Sequence, residues 1–195
     1  MTVPNLLSLF RMGLIPLFVI AVLEREPVRA LLIFVLAGVT DALDGVLARV
    51  LKQQSLLGMY LDPMADKLLL VSAYVLLSIP GTHDGVQIPL WVTVLVFARD
   101  LLIVVVALVL HLTMGIARFP PTWLSKLNTI AQVLTVLLVL VSAEWQIFNV
   151  PAEWATIVVG LLTLASGVDY VFRAHGMVTA ANSVGARQGS GDDSR

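Results

Sequence analysis

Four aspartates, Asp41, Asp44, Asp62 and Asp66, fall within or beside two long apolar runs. On a helix, Asp41, Asp44, Ala48 and Arg49 are spaced i, i+3, i+7, i+8 and share one face. Gly58, Asp62 and Asp66 step by four and share another. If the two helices are antiparallel neighbours, the four carboxylates converge at one membrane depth. A charged side chain near the bilayer centre costs roughly 3 kcal/mol or more. Such a cluster therefore needs cations among it. Oxygen ligands without Cys or His favour Mg²⁺, Mn²⁺ or Ca²⁺. The bland alternative is interhelical pairing with Arg49 and Lys67, but two cations cannot neutralise four anions.

Composition decides what elements must hold this cluster. Of 195 residues, 58% are hydrophobic and 13% charged, and the mean hydropathy is +0.94. Soluble domains run near roughly 45–50% apolar and 25% charged. The expectation is an all-α, polytopic membrane protein, a bundle of six transmembrane helices. The absence of cysteine removes disulfides and thiolate metal sites. A net charge of −1 argues against nucleic acid as a partner. The first residues lack a basic region and a small-residue cleavage site, so no cleaved signal peptide is expected.

The spans are expected at about Leu6–Leu23, Val28–Val50, Leu56–Ile79, Pro89–Leu112, Leu124–Ser142 and Ala155–Phe172. Asn5, Ser8 and Arg11 make a polar stripe on the first, either a helix cap with a snorkelling arginine or a wall of the aspartate site. Pro63 follows Asp62 and should kink the third span or release a carbonyl. His83 lies in a turn-rich loop where nothing nearby completes a ligand set. Arg99-Asp100 sits mid-span, as a charge pair or an anion-binding arginine. Lys126, Thr129 and Gln132 form a further polar stripe. Residues 1–175 are expected as the membrane domain and 176–195 as a disordered polar tail. Lys and Arg counts in the loops put both termini and the aspartate end on the cytoplasmic side of a bacterial-type membrane, with Arg25 and Arg29 as exceptions.

The pattern Asp41-x-x-Asp44-Gly45-x-x-Ala48-Arg49, then Gly58, Asp62 and Asp66, resembles the signature of the CDP-alcohol phosphatidyltransferases. The resemblance covers about Pro4 to Gln132. It implies CMP-forming, metal-dependent transfer of a phosphatidyl group from CDP-diacylglycerol to an alcohol, in phospholipid biosynthesis. It also implies that Asp41, Asp44, Asp62 and Asp66 hold two divalent cations, Mg²⁺ or Mn²⁺ with Ca²⁺ as a substitute, and that Asp66 activates the acceptor hydroxyl. Asn5, Ser8, Gly45, Ala48, Arg49 and Gly58 are the implied CDP-diacylglycerol contacts. Arg11, Lys67, Arg99 and Lys126 are the expected acceptor contacts. Ser125-Lys126-x-Asn128-Thr129-x-x-Gln132 and Arg99-Asp100 look like the cardiolipin-forming branch, with phosphatidylglycerol as acceptor. The alternative acceptor is glycerol 3-phosphate. Membrane lipids and a second copy in a homodimer are the other implied partners. A metal-ion transporter is the reading from another class. The aspartates crowd one membrane end instead of forming a path across, and no inverted repeat is evident.

Overall fold

Long apolar runs broken only by short polar turns dictate helices, and helices are all that the described residues form. The computed structural model describes the backbone of residues 3–51, 56–114 and 123–192, with the side chains of 9–43, 64–106, 108–109, 112 and 123–173. The chain order is α1 (Val3–Leu23), α2 (Pro27–Leu51), α3 (Leu56–Ser78), α4 (Leu90–Met114), α5 (Trp123–Glu144), a 3₁₀ turn (Gln146–Phe148) and α6 (Asn149–Asp192). The all-helical expectation is met. Two stretches among the described residues, Trp123–Glu144 and Gln146–Arg173, are long and apolar enough to cross a membrane, and Leu9–Leu23 is a shorter apolar helix. Crossing by all six helices stays an expectation.

Local chemistry explains the ends. Pro27 opens α2, where its missing N–H costs nothing. The α1 terminus closes with paired bonds, Glu26 N–H to Ala21 O at 2.9 Å and Arg25 N–H to Val22 O at 3.1 Å. This Schellman arrangement puts Arg25 at φ 57°, a conformation that glycine adopts more cheaply. Arg25 is held there by a 2.7 Å hydrogen bond to the Gly81 carbonyl. Pro89 O accepts from Val92 N–H at 2.9 Å and starts α4. The helical backbone of α6 continues to Asp192, past the boundary expected at Gly176. The residues after Gly176 include Gly185, Gly189 and Gly191, which weaken a helix, but no proline, which would break its hydrogen bonds.

Packing follows small residues. Ala21, Ala30, Ala37, Ala65, Ala73 and Ala152 are fully buried, which lets backbones approach closely. Phe18 of α1 meets Phe34 of α2 with ring centroids 5.8 Å apart. Among the described residues α1 packs against both α2 and α3, while α2 and α3 meet each other little. Among the described residues the two aspartate helices are bridged by α1. α5 packs on α2 and α6, and α4 packs on α6.

This core holds polar groups as well as apolar ones, while large apolar side chains cover the outside. Leu32, Leu101, Val104, Leu112, Leu161 and Phe172 face outward, while Arg11, Arg99, Asn128, Gln132, Thr135 and Ser166 are buried. Proteins in water rarely leave so much large apolar surface uncovered. A hydrocarbon surround removes that cost and favours internal pairing of polar groups.

Candidate active site

Arg11 stands at the centre of the described part of the aspartate cluster. It lies on α1, eight residues in from the first helical residue, and its side chain is 0% exposed. Its Nη1 lies 2.9 Å from Asp41 Oδ1 on α2 and 2.6 Å from Asp66 Oδ1 on α3. One guanidinium nitrogen thus joins carboxylates from two different helices. The carboxylates themselves are 46% and 41% exposed, so they face an opening while the cation behind them is closed off.

That opening is a cavity of about 170 Å³ between α2, α3 and α5. Asp41, Asp66 and Thr129 supply its polar wall, and Phe34, Ala37, Leu69, Leu70 and Val133 its apolar part. Gly38 also lines it, and no atom lies within 4 Å of where its Cβ would be.

A second polar cluster adjoins through Lys67, the residue after Asp66. Its ammonium pairs with Asp100 Oδ2 on α4. Asp100 Oδ1 accepts from Arg99 Nη1 at 2.9 Å. Arg99 Nη2 also donates to Ser125 Oγ at 2.6 Å and to Ser166 Oγ at 2.7 Å. The network ties α3, α4, α5 and α6 together. Arg99 also lines an apolar groove of about 540 Å³ between α4 and α6, with Leu95, Leu102, Leu164 and Phe172. The charge-pair reading of Arg99-Asp100 is therefore realised, and two hydroxyls are added to it.

Of the residues singled out from sequence, Asp41, Asp66, Arg11, Lys67 and Arg99 come together in these two clusters. Lys126 is exposed on α5. Asn5, Ser8, Asp44, Gly45, Ala48, Arg49, Gly58, Asp62 and Pro63 lie outside the described side chains. His83 serves its loop: Gly85 N–H donates to its Nδ1 at 3.2 Å, which leaves Nε2 to donate to Leu77 O at 3.1 Å. The stripe expected from Lys126, Thr129 and Gln132 turns by one residue. Asn128, Gln132 and Thr135 are buried, whereas Lys126 and Thr129 are exposed. Asn128 Oδ1 accepts from Thr163 Oγ1 at 2.9 Å. Thr163 and Ser166 were missed. Their signal is a small-residue face, Gly160, Thr163 and Gly167 at i, i+3, i+7, in an otherwise bulky span.

Among the described residues no group of three or more His, Asp or Glu is assembled around one point. The donor chemistry nevertheless fits a hard divalent cation: two carboxylate oxygens already converge on one positive group. Asp44 and Asp62 lie one turn away in sequence on the same helices.

Comparison with known proteins agrees with this chemistry. A family model described as CDP-alcohol phosphatidyltransferase matches residues 1–185. The chain is 38% identical over 164 residues to a rat protein named cardiolipin synthase (CMP-forming), covering 76% of this chain and 52% of that one. It is 35% identical over 176 residues to a probable phosphatidylglycerophosphate synthase of Mycobacterium tuberculosis, covering 87% and 80%. It is 34% identical over 181 residues to a CDP-diacylglycerol–glycerol-3-phosphate 3-phosphatidyltransferase of Haemophilus influenzae, covering 89% and 94%. The chain spans about half the length of the rat and human cardiolipin synthases it matches. With the family model matching nearly its whole length and the carboxylates of α2 and α3 gathered at one cavity, the chain belongs to the CDP-alcohol phosphatidyltransferase family.

Proposed function

We propose that the protein is a six-span membrane enzyme that transfers a phosphatidyl group from CDP-diacylglycerol to the hydroxyl of phosphatidylglycerol, forming cardiolipin and releasing CMP. The observation that carries this reading is the Asp41–Asp66 pair at the edge of a half-apolar cavity. Two divalent cations, Mg²⁺ or Mn²⁺, held by Asp41, Asp44, Asp62 and Asp66, would supply charge neutralisation at the attacking and leaving oxygens. The chain's own groups do the rest. Asp66 takes the proton of the acceptor hydroxyl. The acceptor oxygen bonds to the phosphorus of the phosphatidyl group, and the bond from that phosphorus to the bridging oxygen breaks, releasing CMP. Asn5, Ser8, Gly45, Ala48, Arg49 and Gly58 are assigned to the nucleotide lipid.

Lys67, Arg99 and Lys126 are assigned to the acceptor's phosphate. The groove beside Arg99 favours a lipid acceptor, because its apolar lining suits an acyl chain and its arginine suits an anionic head. For Arg99 to bind phosphate it must exchange one of its present partners, Asp100, Ser125 or Ser166. The names of the mycobacterial and Haemophilus relatives favour a second reading, with glycerol 3-phosphate as acceptor. Both termini and the site are assigned to the cytoplasmic side, and a homodimer is the proposed assembly.

The test offers purified protein in mixed micelles CDP-diacylglycerol with Mg²⁺ or Mn²⁺, and either acceptor in separate reactions. Cardiolipin with metal-dependent CMP release is the expected outcome. Phosphatidylglycerophosphate instead selects the second reading. CMP release with neither acceptor points to another alcohol and overturns both acceptor readings.

A further inference from the structure

Arg11 was expected among the acceptor contacts; its side chain is 0% exposed and its Nη1 joins two carboxylates. Burying a lone cation in a helical bundle is costly unless it is paired. Here the pairing is shared: Nη1 carries two N–H groups, and each carboxylate oxygen lies at hydrogen-bond distance from it. Among the described residues α1 packs against both α2 and α3. The position between Asp41 and Asp66 is therefore held by a charge anchored in a third helix.

We propose that Arg11 is a resident counter-ion of the carboxylate site. It holds Asp41 and Asp66 together when no divalent cation is bound, and it yields their oxygens when one binds. This rests on the metal-dependent reading above. Arg11 is then a positioning residue with two consequences of opposite sign: it stabilises the metal-free protein, and it weakens the metal's apparent affinity by competing for the same oxygens. An arginine that instead helped hold the metal-loaded site would strengthen metal affinity, so the sign of one measurement separates the two roles.

The experiment uses the full chain in detergent micelles without lipid substrate. Thermal melting is followed in chelator and across a Mn²⁺ titration for the wild type, Arg11→Met and Arg11→Lys. The wild type should gain melting temperature with Mn²⁺. Arg11→Met should melt lower in chelator and bind Mn²⁺ at least about tenfold more tightly, a gain of about 1.4 kcal/mol. Arg11→Lys, which keeps the charge, should fall between. Unchanged or weaker Mn²⁺ binding by Arg11→Met overturns the inference while leaving the metal reading intact. If Arg11→Met assembles only when Mn²⁺ is supplied throughout purification, the counter-ion role is supported. If it assembles in neither condition, Arg11→Lys decides: Mn²⁺ affinity no higher than wild type overturns the proposal. A wild type indifferent to Mn²⁺ overturns the metal reading itself.

Discussion

Asp100 and Lys67 offer a sharp test of which buried charge matters. Arg99 is 7% exposed and Asp100 15%, with 2.9 Å between Nη1 and Oδ1. Among the described residues Arg99 also donates to the neutral hydroxyls of Ser125 and Ser166. Asp100→Asn keeps an oxygen near Nη1 but removes the charge that balances a buried guanidinium. Breaking one side of a buried pair costs about 3–5 kcal/mol. Lys67 is 47% exposed and also pairs with Asp100. About half of its side chain is exposed, so Lys67→Met should cost at most about 1 kcal/mol. One kcal/mol shifts melting by about 2–4 °C in chains of this size. Asp100→Asn should therefore melt about 6–20 °C below wild type, and Lys67→Met at most about 4 °C below. Tryptophan fluorescence in chelator-containing micelles reads both, with no contribution from metal. Adding Arg99→Met to Asp100→Asn should recover part of the loss, because no orphaned charge then remains. Equal losses for Lys67→Met and Asp100→Asn would refute the reasoning and make Lys67 the principal partner of Asp100.

Three further outcomes are expected. Asp66→Asn should abolish turnover in the mixed-micelle assay while nucleotide binding stays measurable by calorimetry, and retained turnover would sink the base assignment. Gly85→Ala should destabilise by about 1–3 kcal/mol through overpacking, since the new Cβ would lie 2.7 and 2.8 Å from the backbone N and Cα of Ala143; Gly13→Ala, with no neighbouring element within 4 Å, should be neutral or slightly stabilising by melting temperature.

Much of the site was visible as spacing. Asp41 and Asp66 are recognisable because a carboxylate in an apolar run is expensive wherever the run ends up. The helix limits were equally local. Apolar length and the turn chemistry around Pro27 and Pro89 place the ends of α1 to α5 within about three residues of expectation. The end of α6 was not legible, because polar composition alone does not break a helix that lacks proline.

Residue types and their order settle which residues carry charge into apolar segments, the helical class and the family. They also make Arg99 and Asp100 neighbours, since adjacency on one helix requires no folding. Which faces meet depends on how the helices pack. In a lipid-exposed bundle both inward and outward faces are apolar, so the periodicity that orients a soluble helix says little here. That is why the inward face of α5 proved to be Asn128–Gln132–Thr135 instead of Lys126–Thr129–Gln132, and why Ser166 emerged only as a partner of Arg99. It is also why Arg11 could be read as a wall of the site but not as the cation between Asp41 and Asp66. That role depends on α1 packing between α2 and α3, and side-chain spacing within one helix carries no information about its neighbours.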